Sequence, residues 1–251
     1  MKNYIARLKE NCSTRRFIFW WIIRASLLFA FVKGFFPAPG EAFDITDPLQ
    51  VGANFLATFV WEIFMLFPEK STFRYVPSSV QTVLSIGVWC GSFGGKFLNL
   101  YYDSRWWDVA LHFLGGAACV FFGYELACAI LRCKKSTAPM TLILLTSVGF
   151  SFFAATCWEV FEFTFDQVAG MMGGYPGDAQ HWSLELALGT PKEQTLFDPI
   201  VDARWPIMDT MADIVLNTVG AAIAYLIIKF KPYRHADANT LKDIKKETVA
   251  K

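Results

Sequence analysis

Residues 207–230 read IMDTMADIVLNTVGAAIAYLIIKF, and this stretch decides the fold. At about 1.5 Å of rise per residue, a helix of this length outreaches a hydrocarbon core of about 30 Å. Asp209, Asp213 and Asn217 recur every four residues, which puts three polar groups on one helix face and leaves the rest of the surface apolar.

Five further stretches share this character: 17–36, 49–67, 80–102, 106–131 and 140–168. A backbone in hydrocarbon must pair its own N–H and C=O groups, and none of these runs alternates like a barrel strand. Each therefore predicts a helix. Turn chemistry separates them at Pro37, Pro39, Gly40, Pro68, Pro77, Pro139 and the Gly and Pro cluster of 170–177. The expected fold is all-α, a polytopic integral membrane protein of about six transmembrane helices.

Composition agrees, since a chain of 251 residues with 54% hydrophobic and only 18% charged residues is too apolar for an ordinary soluble domain. The lipid bilayer is the partner this implies. A net charge of +1 offers no basic face for a nucleic acid, so that class of partner is excluded. No small-x-small cleavage site follows 17–36, so that run reads as a retained helix. The six cysteines form no CxxC pair and read as small buried apolar residues.

Basic residues set the orientation, because Lys and Arg are retained on the cytoplasmic side. Lys2, Arg7, Lys9, Arg15 and Arg16, then Lys70 and Arg74, then Arg132, Lys134 and Lys135, then Lys229, Lys231 and Arg234 fall in one alternating set of segments. The opposite set holds Arg105, Lys192 and Arg204. Both termini are expected inside. The organisation is then a basic cytoplasmic N-terminus over 1–16, a six-helix transmembrane domain over 17–230 with an outer loop at 169–206, and a polar cytoplasmic tail over 231–251. A bacterial inner or cytoplasmic membrane is the expected location.

Ionisable groups inside the spans carry the functional information, because each costs at least about 2.5 kcal/mol on insertion scales unless paired or hydrated. Asp108 and His112 are four apart in the fourth span; Glu159, Glu162 and Asp166 follow at three and four in the fifth; Asp209, Asp213 and Asn217 repeat in the sixth. His112, Glu162 and Asp213 each lie about 9 Å in from the outer end of their helix. Alternating directions bring them to one depth, so a single cluster below the outer surface is expected.

Carboxylates crowded together raise one another's pKa, so a positive charge must balance them. A divalent cation held by His112, Asp108, Glu162 and Asp213 would serve, with Glu159, Glu162 and Asp209 as catalytic carboxylates. The hard-oxygen set with one imidazole suits Zn, Mn, Fe or Mg. Shared protons or a cationic substrate are the alternatives.

The strings Asp108-x-x-x-His112-Phe113-x-x-Gly116, Trp158-Glu159-x-x-Glu162 and Asp209-Thr210-x-x-Asp213-x-x-x-Asn217-x-x-Gly220 resemble the signature of the YjdF-type bacterial inner-membrane proteins, and more broadly of VanZ-like proteins. The resemblance covers roughly 101–225 and implies a multi-pass envelope protein without supplying a reaction. The stretch from Leu188 to Asp209 departs from that pattern by extra residues, including Lys192, Glu193 and Asp198.

A second polar layer predicts structure rather than chemistry. Arg24, Glu62 and Glu125 fall at similar depths from the inner ends of the first, second and fourth spans, where one Arg between two Glu residues makes a pairing network. Asn217 joins this structural polar set. The Trp61–Phe64 string echoes Trp158–Phe161, as an inverted repeat of three helices would. Three functions stay open at this point: metal-assisted processing of a lipid-linked or envelope substrate, proton- or cation-coupled transport, and a non-catalytic membrane scaffold. The chain carries no HExxH or GxSxG motif.

Overall fold

The computed structural model describes residues 2–36, 46–171 and 205–230. The side chains of Asp166 and Asp209 fall outside that description, as do Asp178, His181, Asp198, Asp202 and His235. Every element among the described residues is helical. In chain order they are α1 (Lys2–Asn11), α2 (Thr14–Lys33), α3 (Thr46–Ala57), α4 (Val60–Phe64), a 3₁₀ turn (Thr72–Tyr75) and α5 (Ser78–Trp89). A π-helical segment (Cys90–Phe97), α6 (Leu100–Asp103), α7 (Arg105–Lys134), α8 (Met140–Met171) and α9 (Trp205–Phe230) complete the series.

Among the described residues, three helices are long and apolar enough to cross a membrane by length and composition: Trp106–Lys134, Met140–Thr164 and Thr210–Phe230. The first three expected spans are built differently. The first forms α2, with Arg15, Arg16, Arg24 and Lys33 in its 20 residues. The second is broken at Thr58 and Phe59 into α3 and α4. The third starts as α5, widens into the π-helical segment and stops at Asn99, whose φ of 62° only a few side chains accept readily.

The break in the second segment has a physical resolution. Trp61 N–H, one of the donors orphaned at the start of α4, goes to Gln81 Oε1 at 2.8 Å. Gln81 is held in turn by Ser85 Oγ at 2.9 Å. On the other side, Arg24 Nη2 donates to the Thr58 carbonyl and stands 2.6 Å from Glu62 Oε1. Buried side chains from α2 and α5 thus satisfy backbone groups that the helix interruption frees. The guanidinium also lies 3.8 Å from the Phe59 ring centroid.

Glu125 has its own cation: Arg132 Nη2 stands 3.7 Å from its Oε2 and donates to the Tyr75 carbonyl at 3.0 Å. A second arginine thus stands in this layer beside the Arg24 and Glu62 pair, because Arg132 lies seven residues, two helical turns, beyond Glu125 on the same face of α7. The echoing Trp-Glu strings also differ in setting. Trp61 is buried in the core while Trp158 is exposed, and the first string sits in a five-residue helix while the second lies inside the 32 residues of α8.

Helix α1 docks through Tyr4 and Leu8, with Cys12 just beyond its end, on the apolar cluster of Trp20, Trp61, Met65, Val76, Val80 and Ala129. Burial pushes the Tyr4 phenol above its ordinary value, and the Glu62 carboxylate adds to it. Helix α7 is shared: one face closes this cluster, the other packs with α8 and α9 around Val120, Tyr124, Cys128, Ile143, Leu144, Ala221, Ala224 and Ile228. All six cysteines are free thiols. Leu145, Phe153, Val160 and Ile227 are more than half exposed on the outside of this three-helix unit. A bilayer is the solvent that makes such a surface stable.

Candidate functional site

The register of α7, α8 and α9 positions the site. Gly116 lies against the Asn217 backbone and Gly220 against Phe113 and Ala117, so closely that a Cβ on either glycine would overlap its neighbour's backbone. Small residues admit this backbone approach between helices in lipid. Contacts advance together along α7 and α9, from His112 beside Asp213 to Gly116 beside Asn217 and Ala117 beside Gly220, so the two helices run parallel. Ser151 Oγ donates to Gly116 O at 2.9 Å, and Gly123 faces Ser147 and Phe150. Contacts here recede along α8 as they advance along α7, so α8 is antiparallel.

That packing assembles three of the expected ligands. His112 Nε2 stands 3.4 Å from Asp108 Oδ1 and 3.5 Å from Asp213 Oδ1. One ligand atom from each of Asp108, His112 and Asp213 lies within 4.8 Å of the others. Asp213 and His112 are nearly enclosed, with side chains 6% and 10% exposed, whereas Asp108 at 45% opens the cluster to the outside. The i, i+4 spacing of Asp108 and His112 puts both on one face of α7, and the contact through Gly116 brings α9 against that face.

Glu159 is buried on α8 and Glu162 half-buried one turn later. Glu162 is near enough for its charge to act on the His112 ring. Asp209 lies on α9 one turn before Asp213. Asn217, read from sequence only as structural, proves to belong to the centre. Its Nδ2 donates to the Asp213 carbonyl at 2.9 Å and stands 3.3 Å from His112 Nδ1. The four-residue repeat of Asp209, Asp213 and Asn217 was the signal for that placement. Arg24 and Glu62 pair away from this centre, between α2 and α4, and Glu125 pairs with Arg132 further along α7.

The fold and its site define an all-helical membrane protein with a carboxylate and imidazole centre at one end of a three-helix unit. A family model described as a predicted membrane protein (DUF2238) matches residues 18–232, and the chain belongs to that family. An uncharacterized protein of Thermotoga maritima is 32% identical over 104 residues, covering 40% of this chain and 50% of that one. The chain thus spans about half the length of the curated relative it matches. No solved structure matches.

Proposed function

We propose that this protein crosses a bacterial inner membrane six times with both termini inside, and that Asp108, His112 and Asp213 hold a divalent cation used to process a lipid-linked or envelope substrate. The observation that carries this reading is the spacing of the three ligand atoms. Separations of 3.4 and 3.5 Å exceed the 2.7 to 3.2 Å or so of a good N–H···O hydrogen bond. These two lie near the roughly 3.4 Å between neighbouring ligands set about 2.1 Å from a tetrahedral zinc ion, and the Asp108 and Asp213 oxygens are within 4.8 Å of each other.

Three protein ligands with a fourth position open are the arrangement of catalytic rather than closed structural sites. The exposure of Asp108 supplies the open side. A cation there would polarise a phosphoryl or carbonyl oxygen, and Glu159 or Glu162 would take a proton from the attacking water. The basic clusters at Lys70, Arg74, Arg132, Lys134 and Lys135 support the orientation: Cys133 Sγ donates to Lys70 O and Arg132 reaches Tyr75, so they share one end of the molecule. The reading draws on the YjdF-type motifs and not on the broader VanZ-like likeness.

Transport by proton coupling has its own observation. With Nδ2 of Asn217 tied to a helix carbonyl, that nitrogen is a donor toward His112 Nδ1, which must accept. The ring proton then sits on Nε2, facing two carboxylates. Cation and proton readings thus differ in what lies between Nε2 and the Asp oxygens. Elemental analysis of detergent-purified protein from metal-replete cells decides: about one divalent ion per chain, lost in His112→Ala, supports the cation, and a chain without any sinks it.

A further inference from the structure

In the broken second segment Gln50, Asn54, Thr58 and Glu62 recur every four residues, a polar series at helical spacing over a rise of about 18 Å. Each has a polar neighbour on another element. Lys96 Nζ donates to Gln50 Oε1 at 3.4 Å, Asn54 Nδ2 donates to Ser92 Oγ, and Arg24 reaches both Thr58 and Glu62. Burial deepens along the series: Gln50 is exposed, Asn54 half-buried, and Thr58 and Glu62 buried. The open end lies beside the start of α7, because Gly94 and Gly95 of the π-helical segment abut Trp107 and Tyr101. It is the end that carries Asp108.

At the buried end the carboxylate is satisfied unequally. Glu62 Oε1 stands 2.6 Å from Arg24 Nη2, while Oε2 is buried with no hydrogen-bond partner. A buried ion pair offsets its desolvation only when the remaining lone pairs are also met, so the charged form of Glu62 is only half supported. A proton on Oε2 replaces that charge with a neutral hydroxyl, which costs less to bury. Arg24 keeps its own partners through the change. Its Nε donates to Thr58 Oγ1 at 3.1 Å and its Nη2 to the Thr58 carbonyl, and the guanidinium lies 3.8, 5.2 and 5.9 Å from the Phe59, Trp21 and Trp20 ring centroids.

Few other charged or titratable groups face this carboxyl. From α1, the Tyr4 hydroxyl donates to the Glu62 carbonyl at 3.4 Å, and Cys12, just beyond α1 and near Arg16, lies within reach of both the Glu62 and Arg24 charges. Arg74 of the 3₁₀ turn is engaged at Met65. Helices α5 and α7 meet the region through Gln81, Val80, Phe122 and Ala129, and Glu125 of α7 pairs with Arg132. Beyond Glu62 the way to the opposite end is closed by the apolar cluster of Trp61, Met65 and Val76.

We infer that Glu62 is a proton-binding site of its own, separate from the Asp108, His112 and Asp213 centre and loaded from the Asp108 end along Gln50, Asn54 and Thr58. A hydronium ion at that end gives up its proton, water is left, and the proton bonds to Glu62 Oε2 while Arg24 stays charged. Ionisable groups lodged among helices serve in this way in proton relays, and a π-helical turn inside a helix, as at Cys90–Phe97, is found mostly where a helix has work besides packing. The inference does not depend on a cation at His112.

The test uses the full chain in nanodiscs, with infrared difference spectra recorded after a rapid drop in pH and glutamate isotopically labelled to separate it from aspartate. The wild type should gain a protonated-carboxyl band with a glutamate component that Glu62→Gln lacks. Glu62→Asp should move that component into the aspartate region, and it decides the matter should Glu62→Gln fail to elute as a single species. Asn54→Leu should slow the component severalfold without changing its amplitude. Ser92→Val repeats this from the facing element, and Tyr4→Phe, on the other side of Glu62, should leave the rate unchanged. A glutamate band identical in the wild type and both Glu62 variants overturns the proton site. A rate that neither Asn54→Leu nor Ser92→Val alters, or that Tyr4→Phe slows as much, overturns the route. Metal content measured on the same samples should equal wild type throughout, so a failure here is distinct from a failure of the cation reading.

Discussion

Arg24 Nη2 stands 2.6 Å from Glu62 Oε1 with both side chains buried, 1% and 9% exposed, and the same nitrogen reaches the Thr58 carbonyl at the helix break. One guanidinium therefore neutralises a buried carboxylate and covers an interrupted backbone at once. Only the forked arginine head does both; a lysine ammonium is a single point of charge.

Arg24→Ala should lower the yield of folded protein and destabilise it by about 3 to 5 kcal/mol, the usual cost of stranding one member of a buried pair. Glu62→Gln in that background should restore part of the loss by removing the stranded charge, but not all, because the Thr58 carbonyl still lacks its donor. Glu125→Gln should restore nothing, since Arg132 already serves Glu125. Detergent melting curves on the four proteins check this, and wild-type stability for Arg24→Ala would end the argument.

How much of this was legible beforehand divides at α7. The C-terminal half was readable: 106–131, 140–168 and 207–230 correspond to α7, α8 and α9, because long uninterrupted apolar runs admit only a helix in lipid. The juxtaposition of His112 and Asp213 was readable too, since equal depth put them on facing helices, and the four-residue spacing placed Asp108 on the His112 face. The N-terminal half was not. Nothing local in 49–67 announces a break at Thr58 and Phe59, because it is stabilised by Arg24 and Gln81, which lie 34 and 23 residues from Thr58 along the chain. The pairing of Glu125 with Arg132 was missed because reading by depth across helices passed over a partner on the same helix. Asn217's link to His112 needed the backbone contact at Gly116, which no single-helix pattern contains.

Gly116→Ala should be among the most damaging small substitutions in the chain, since its Cβ would overlap the Asn217 backbone, which cannot swing aside as a side chain can. Gly149→Ala is the matched control on α8, where nothing lies within 4 Å of the added carbon. The first should melt several degrees lower and lose metal in step; the second should match or slightly exceed wild type, as alanine is the better helix former. Equal melting points for the two would mean that α7 and α9 do not approach as described.

Asn217→Leu should weaken metal affinity about 10- to 100-fold, the usual effect of removing a group that orients a ligating imidazole. On the cation reading, a metal on His112 Nε2 would leave the ring proton on Nδ1, and Asn217, 3.3 Å from Nδ1, would accept it through its Oδ1. Isothermal titration of the apo protein with zinc and with manganese measures the change. An affinity identical to wild type would show that Asn217 does not orient the His112 imidazole for a cation.

A cysteine placed in the α8–α9 connection, within 172–204, should react with a membrane-impermeant maleimide on intact cells, whereas one replacing Lys135 at the end of α7 should react only after permeabilisation. Helices α7 and α9 run parallel and α8 opposes them, so the end of α8 and the start of α9 lie at the opposite end of the three-helix unit from Lys135 and the basic cluster. The reverse labelling pattern would invert the molecule and move the centre to the cytoplasmic side.

His112→Ala, Glu162→Gln and Asp213→Asn should each abolish function with near-normal expression, and combining them should add little to any one of them. The reason is geometric: His112 and Asp213 offer their atoms to a single point from different helices, and Glu162 acts on the same ring. Groups that act as a unit lose their joint effect with the first deletion, so the free-energy effects of the single changes will not sum. The neutral substitutions also separate cation from proton. Asp213→Asn removes an anionic ligand and should empty a metal centre, while Glu162→Gln lies outside the three-ligand set and should spare the metal but not the turnover. If no ion is present and all three variants lose the response of uptake to a pH gradient, the same residues are carrying protons. Variants that keep full function, or that fail only by unfolding, would leave the cluster as packing polarity between α7, α8 and α9.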